Sequence, residues 1–270
     1  MSTLHPFDQA MTLHAVTANA WRGETSDGYM HVVGPFGGFI AGVMLRAIIN
    51  EPARRGDPVA LTVNYCGAVE KGPFEIATKL QRGGKYNQHW SMTLVQAGDT
   101  KVSATAVFAI RDNVFSHQPA TAPVAPAPEA VAAIAKFGLS WLDRYEYREI
   151  EGKLDVMSGP HDPIKPASSL SWIKDEPDRP LDYVSLASIS DCALGRLVLV
   201  RGTMPIFGTV SLTTYFHATA TEIAELGVLP VLVSAAAKRF HANFHDHDVQ
   251  IWGKDGALIA SGSQIVWYKE

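Results

Sequence analysis

YVSLASISDCALGRLVLV, residues 183–200, is the stretch on which the fold turns. Between Val184 and Val200 its only charged residues are Asp191 and Arg196. A segment apolar nearly all round is a buried segment, and its length suits a helix. A similar segment opens the first half of the chain. After GPFGG (34–38), Phe36, Ile40, Val43, Met44, Ala47 and Ile48 recur at helical spacing up to about Asn50. Two such segments in one chain point to an internal repeat, which has to be resolved before any motif is read.

The runs that follow each segment bear this out. In the first half they are LTVNYC (61–66), PFEIATKLQ (73–81), HWSMTLVQAG (89–98) and KVSATAVFAI (101–110). In the second they are TVSLTTYFH (209–217), LPVLVSAAAKR (229–239), HDVQIWGKDG (247–256) and ALIASGSQIVWY (257–268). Alternation such as Leu61, Val63, Tyr65 predicts half-buried strands. Asp99 and Asp255-Gly256 sit where hairpins should turn. Aligning QAGDTKVSA with WGKDGALIA sets Ala104 on Ala260, and Gln264 then falls on Phe108. Each half also begins with an extended-looking stretch, HAVTANAWRG (14–23) and DRYEYREIEG (143–152).

The repeat therefore predicts an α+β chain of two units, each an antiparallel sheet wrapped round one long apolar helix. The expected boundaries are 1–112 for the first unit and 141–270 for the second. Residues 113–140, rich in Pro and Ala, read as a linker across the surface.

Composition narrows the function. The chain has 270 residues, 47% hydrophobic and 19% charged, with a net charge of −4. That balance gives no reason to expect nucleic acid or an anionic membrane as partner. The N-terminus, MSTLHPFDQAMTLHAV, lacks the pattern of a signal peptide, and no stretch is long and apolar enough to span a bilayer. A cytoplasmic location is the expectation. Cys66 and Cys192 have no paired spacing, which argues against a disulfide framework or a zinc site. Both are expected to be small buried residues.

Asp191 is the sharpest anomaly. A carboxylate in an apolar segment needs compensation, either an ion pair with Arg196 or a role in chemistry. Gln264, flanked by Ile265, Val266 and Trp267, needs hydrogen-bond partners if it points inward. Its alignment with Phe108 puts an amide in one copy where the other has an apolar ring. Only the second half, on this reading, carries a polar site. Thr209 opens the strand after the helix, where its type is also explained by strand propensity.

These features resemble the acyl-CoA thioesterase II family. The resemblance is carried by GPFGG (34–38), SLASISD (185–191), GTVSLTTYFH (208–217) and DGALIASGSQ (255–264), and it spans nearly the whole chain. It implies a double hotdog fold and an active site made of Asp191, Thr209 and Gln264, all in the second unit. It implies hydrolysis of acyl-CoA by a water that Asp191 activates as general base, with Thr209 and Gln264 orienting it. It calls for no cofactor and no metal, and it implies a homo-oligomer. A histidine that some relatives carry near Leu61–Tyr65 is absent; Thr62 or Asn64 occupies the region.

Other readings are weaker. His241, His245 and His247 in HANFHDHD (241–248) invite a metal, but their spacing matches no strong signature. There is no G-x-S-x-G elbow, and GPFGG lacks the spacing and lysine of a phosphate loop. Lys238 and Arg239 could meet CoA phosphates or simply end a solvated strand. A hydratase would need an acid–base pair, for which His217 is the candidate. A non-catalytic acyl-CoA binding module would not need Asp191. The oxyanion donor is unassigned, with the glycines of 34–38 as candidates.

Overall fold

The computed structural model describes residues 4–112, 114–136, 138, 140–153, 160, 165–193 and 195–269. The first half contains α1 (Pro6–Ala10), β1 (His14–Thr17), β2 (Ala20–Glu24), α2 (Gly37–Ile49), β3 (Asp57–Tyr65), β4 (Pro73–Gly83), β5 (Asn87–Gln96) and β6 (Asp99–Ala109). The second contains β7 (Tyr145–Glu151), β8 (Ser168–Asp175), α3 (Tyr183–Ile189), α4 (Arg196–Arg201), β9 (Ile206–Phe216), α5 (Ala220–Leu226), β10 (Val231–Ala236), β11 (Phe240–His241), β12 (Phe244–Trp252) and β13 (Leu258–Lys269).

The strands form one antiparallel sheet with a near-palindromic order. From the central pair β3–β9, the sheet runs outward through β6, β5, β4, β2, β1 on one side. It runs through β13, β12, β10, β8, β7 on the other, with the short β11 beside β12. The two copies thus join edge to edge and leave neither β3 nor β9 as an open edge. At the seam Thr62 faces Thr213, and their hydroxyls lie 3.0 Å apart. The β5–β6 hairpin closes through Ala97 and Gly98, both at positive φ, the geometry whose twist suits a two-residue turn.

The helices pack antiparallel inside this sheet. Gly37 meets Asp191, Gly38 meets the Ser188 carbonyl, Gly42 meets Val184, and Arg46 reaches Asp182. A Cβ on Gly38 would lie 2.3 Å from the Ser188 oxygen, so this crossing requires a residue without one. Ile40, Val43, Met44, Ala47 and Ile48 are fully or almost fully buried, as their helical spacing predicts, and Phe36 is buried too but caps the helix rather than lying in it.

The second apolar segment departs from expectation. It is not one helix over 183–200. The helix ends at Ile189 with Ser190 as its cap, and α4 starts only after Gly195. Ser190 Oγ donates to the Ala187 carbonyl, satisfying one group at the end of α3, and lies 2.9 Å from the Thr214 hydroxyl of β9. Asp191 therefore lies in the break between two short helices rather than on a helix surface. Arg196 does not serve as its ion-pair partner. It turns to Ser169 Oγ at 2.7 Å and the Ala235 carbonyl at 3.4 Å.

Two smaller points concern the cysteines and the connection between halves. Cys192 is buried, but Cys66 is exposed, against expectation. Part of the segment between the halves packs against the second half. Ala120, Ala122, Ala125 and Val131 lie on Leu170, Trp172, Leu232 and Trp252, and Trp172 Nε1 donates to the Pro126 carbonyl at 2.9 Å.

Candidate active site

Three non-adjacent elements bring the expected residues together. Asp191 sits in the break after α3, Thr209 on β9 and Gln264 on β13, and all three line one cavity of about 490 Å³. Most of its wall is apolar, including Phe36, Ile40, Trp141, Val198, Phe207 and Val266. A mostly apolar cavity of this size with a few convergent polar groups has the character of a small-molecule site.

Strand geometry aims the polar groups. On β13, Ala260, Gln264 and Val266 face inward, so Gln264 is buried. On β9, Leu212, Thr214 and Phe216 face inward, a phase that would turn Thr209 outward. A bulge corrects this. Ile265 pairs with Ser211 but Val266 pairs with Thr209, leaving Val210 without a partner across the ladder. The extra residue shifts the alternation by one and swings Thr209 toward Gln264. Thr209 Oγ1 then donates to Gln264 Oε1 at 2.9 Å.

The amide nitrogen of Gln264 has a partner that the sequence reading did not foresee. Its Nε2 lies 2.9 Å from Nδ1 of His247, which faces it across β12 and β13. Because Oε1 is taken by the threonine hydroxyl, the nitrogen is the donor and His247 Nδ1 accepts. Burial holds the His247 imidazole neutral, well below its usual range, with the charges of Arg196 and His245 adding to the effect. The one available signal was the alternation of His245 and His247 within a strand, which places both rings on the same face.

Asp191 is the charged centre. Burial lifts its carboxyl to about 7, even though the neighbouring polar groups of Gln264, the Gly38 backbone and Thr209 act to lower it. The contribution of Gly38 shows that the first half also builds the site. The carboxylate rests at the N-terminus of α2, where unpaired backbone N–H groups favour negative charge. Tyr65 completes this side by donating to the Gly37 carbonyl at 2.7 Å. Burial, with the nearby Asp191 charge, keeps Tyr65 a neutral phenol.

The other candidates lie elsewhere. His217 lies just past the end of β9, with Nε2 2.8 Å from Ser261 Oγ, and does not pair with Asp191. Lys238 forms an ion pair with Asp248, and the backbone N–H groups of Lys238 and Arg239 donate to Asp246 Oδ1. His245 and His247 line the cavity, whereas His241 is exposed on β11. Among the described residues, no helix is long and apolar enough to cross a membrane.

Comparison with known proteins gives this geometry a context. The acyl-CoA thioesterase N-terminal domain profile matches residues 26–109, and the C-terminal domain profile matches residues 117–268. No curated protein matches the chain. Among solved structures, a conserved hot dog fold protein of unknown function from Alicyclobacillus acidocaldarius is 33% identical, with a TM-score of 0.93 over 99% of each chain. A putative thioesterase II from Thermobifida fusca is 18% identical, with a TM-score of 0.81 over 98% of this chain and 97% of that one. An acyl-CoA thioesterase II from Mycobacterium marinum is also 18% identical, with a TM-score of 0.76 over 97% of this chain and 98% of that one. The sheet wrapped round paired central helices is thus a double hot dog.

Proposed function

This chain belongs to the acyl-CoA thioesterase family, and on that premise we propose that it hydrolyses an acyl-CoA to the free acid and CoA through a water activated by Asp191. The observation that carries the proposal is the convergence of Asp191, Thr209 and Gln264 on the wall of one largely apolar cavity. An apolar acyl chain fits that lining, and a carboxylate there has a task that packing alone does not give it.

The chemistry follows from the groups present. Asp191, ionised, takes a proton from water as the water oxygen attacks the thioester carbonyl carbon. A carboxyl near 7 is a better matched base at neutral pH than one near 4. Gln264, held at both ends by Thr209 and His247, keeps its amide fixed and so orients the water and the carboxylate. The first-turn N–H groups of α2 are the candidates for the oxyanion. Collapse of the tetrahedral intermediate breaks the C–S bond, and the leaving thiolate regains a proton from Asp191. A thiol is acidic enough, roughly pKa 8–9 by analogy with cysteine, to leave with little further assistance.

The test is release of free thiol from a panel of acyl-CoAs by the wild-type protein and by Asp191→Asn. Turnover by the wild type and a loss of roughly 10²–10⁴-fold in the variant is the expected result. Thiol release that persists in Asp191→Asn would remove Asp191 from the mechanism. Binding without thiol release would make the protein an acyl-CoA binding module.

A further inference from the structure

The first turn of α2 is poorly built as a helix start. Phe36, its cap residue, supplies no side-chain hydrogen bond, and Gly37 and Gly38 follow as the first two helical residues. Glycine is a poor helix former because it gives up the most backbone freedom on folding. Both glycines are imposed by close approach. A Cβ on Gly37 would lie 2.5 Å from Asp191 Oδ2, and one on Gly38 would lie 2.3 Å from the Ser188 oxygen. The turn that faces the proposed base therefore cannot be strengthened from within.

The hold comes from β3. Leu61, Val63 and Tyr65 alternate toward the interior along that strand. Its pairing with β9 ends at Asn64 and Ser211, so Tyr65 passes the seam and reaches the cavity wall. The Tyr65 hydroxyl donates to the Gly37 carbonyl at 2.7 Å. That carbonyl and the Gly38 N–H belong to one rigid, planar peptide group, so holding the oxygen sets the direction of the N–H. The Gly38 backbone is one of the groups that lower the Asp191 carboxyl, an action that belongs to its N–H, the donor of that backbone. A donor into the carbonyl also polarises the peptide and strengthens the N–H at its other end.

We infer that Tyr65 is a positioning residue of the hydrolytic site, anchoring the Gly37–Gly38 peptide so that its N–H stays turned toward Asp191. The hydroxyl is committed to the Gly37 carbonyl and burial keeps it a neutral phenol, so Tyr65 acts through the peptide and not as an acid or base. The inference rests on the thioesterase reading. It adds that the first half, which has a phenylalanine where the second has Gln264, supplies a working part of the second half's site. The other ionisable groups that bear on Asp191 are Tyr147 of β7 and Cys192 beside it, with His247 behind Gln264. Burial keeps all three neutral around pH 7. From β9, β13 and the first turn of α2 come only Thr209, Gln264 and backbone. The acid limb of the pH profile therefore reports Asp191 when Tyr65 is changed.

The experiment is Tyr65→Phe, which keeps the ring and leaves no buried donor unpaired. Thiol release from a panel of acyl-CoAs is followed against pH, and amide hydrogen exchange is read along α2 by NMR. We expect kcat to fall by about tenfold or more with KM within about threefold, because orientation of the base is lost and substrate binding is not. The acid limb should move up by roughly half a pH unit or more, since Asp191 loses part of a donor that favours its charge. Exchange of the first-turn amides should quicken by about tenfold while residues 43–49 keep their wild-type rates. Added to Asp191→Asn, the substitution should cost little further activity. Unchanged kcat with an unmoved limb overturns the inference. So does an effect confined to KM, which makes Tyr65 a substrate contact, or faster exchange spread evenly over α2, which makes it a packing residue. Failure of the thioesterase reading is distinct: no thiol appears from any substrate, even with the wild type. Hydrogen exchange and NMR titration of the Asp191 carboxyl then decide. In Tyr65→Phe the first turn must exchange faster and the carboxyl must titrate at higher pH, or the anchor is refuted.

Discussion

A Cβ atom on Gly37 would lie 2.5 Å from Oδ2 of Asp191. The first residue of α2 is thus in direct contact with the proposed base. Gly37→Ala should displace the carboxylate, which is the movable partner, and leave the helix intact. Alanine is the better helix former by about 1 kcal/mol, so thermal stability should hold. We expect kcat to fall by roughly 10–100-fold, the scale of a small misplacement of a catalytic group. Unchanged turnover would show that the carboxylate has room that its contact with Gly37 denies it.

The ionisation of Asp191 sets a pH dependence. A base lifted to about 7 is half protonated at neutral pH. The acid limb of kcat/KM should bend near pH 7, with activity falling tenfold per unit below it. A limb near pH 4 would mean that the hydrogen bonds outweigh burial, or that another group titrates.

The same shift acts on stability, with a definite sign. The folded pKa lies above the unfolded value, so the folded state binds the proton more tightly. Between about pH 4 and 7 this residue's contribution therefore falls as pH rises, reaching a cost of roughly 4 kcal/mol at full ionisation. Asp191→Asn removes that titration. Its melting temperature relative to wild type should climb from pH 5 to pH 8 in thermal denaturation scans. A constant difference across that range would contradict the upward-shifted carboxyl.

In the proposed reaction His247 would act through Gln264, as a positioning residue. His247→Phe should lower kcat by about tenfold or more while leaving KM within about threefold, because the interaction orients water rather than substrate. His247→Asn, whose amide can replace Nδ1, should recover part of the loss. Combined with Gln264→Ala, the phenylalanine variant should cost little extra, since both act through one hydrogen bond. Additive losses in kcat would separate the two residues.

Thr209→Val keeps shape and strand propensity but removes the hydroxyl that anchors Gln264. We expect reduced kcat with the fold preserved. A change confined to KM would assign Thr209 to substrate contact instead.

Much of this architecture was legible in the chain itself. The repeat, its strands and the α2 helix follow from periodicity, because side-chain phase is a local property of helix and strand. Asp191 was legible because an unpaired charge in an apolar segment is costly wherever it falls. Gln264 was legible through its contrast with Phe108, which is fully buried in the first half. The break at 190–195 was not, since apolarity signals burial and not helical continuity. Thr209 was reachable only by resemblance, because the bulge at Val210 reverses the phase that alternation would assign. His247 was weighed as a metal ligand, and its partner lay on another strand.

The residues alone determined that two copies of one unit would each bury an apolar helix against a sheet, and that only the second copy carries acid and amide. Tertiary structure decided that α2 of the first copy delivers its N-terminus to Asp191, and that β12 sets His247 against Gln264. The division is physical. Periodicity and residue type act over a few neighbours along the chain, whereas the placement of a hydrogen-bond partner depends on strand register and helix crossing between distant segments.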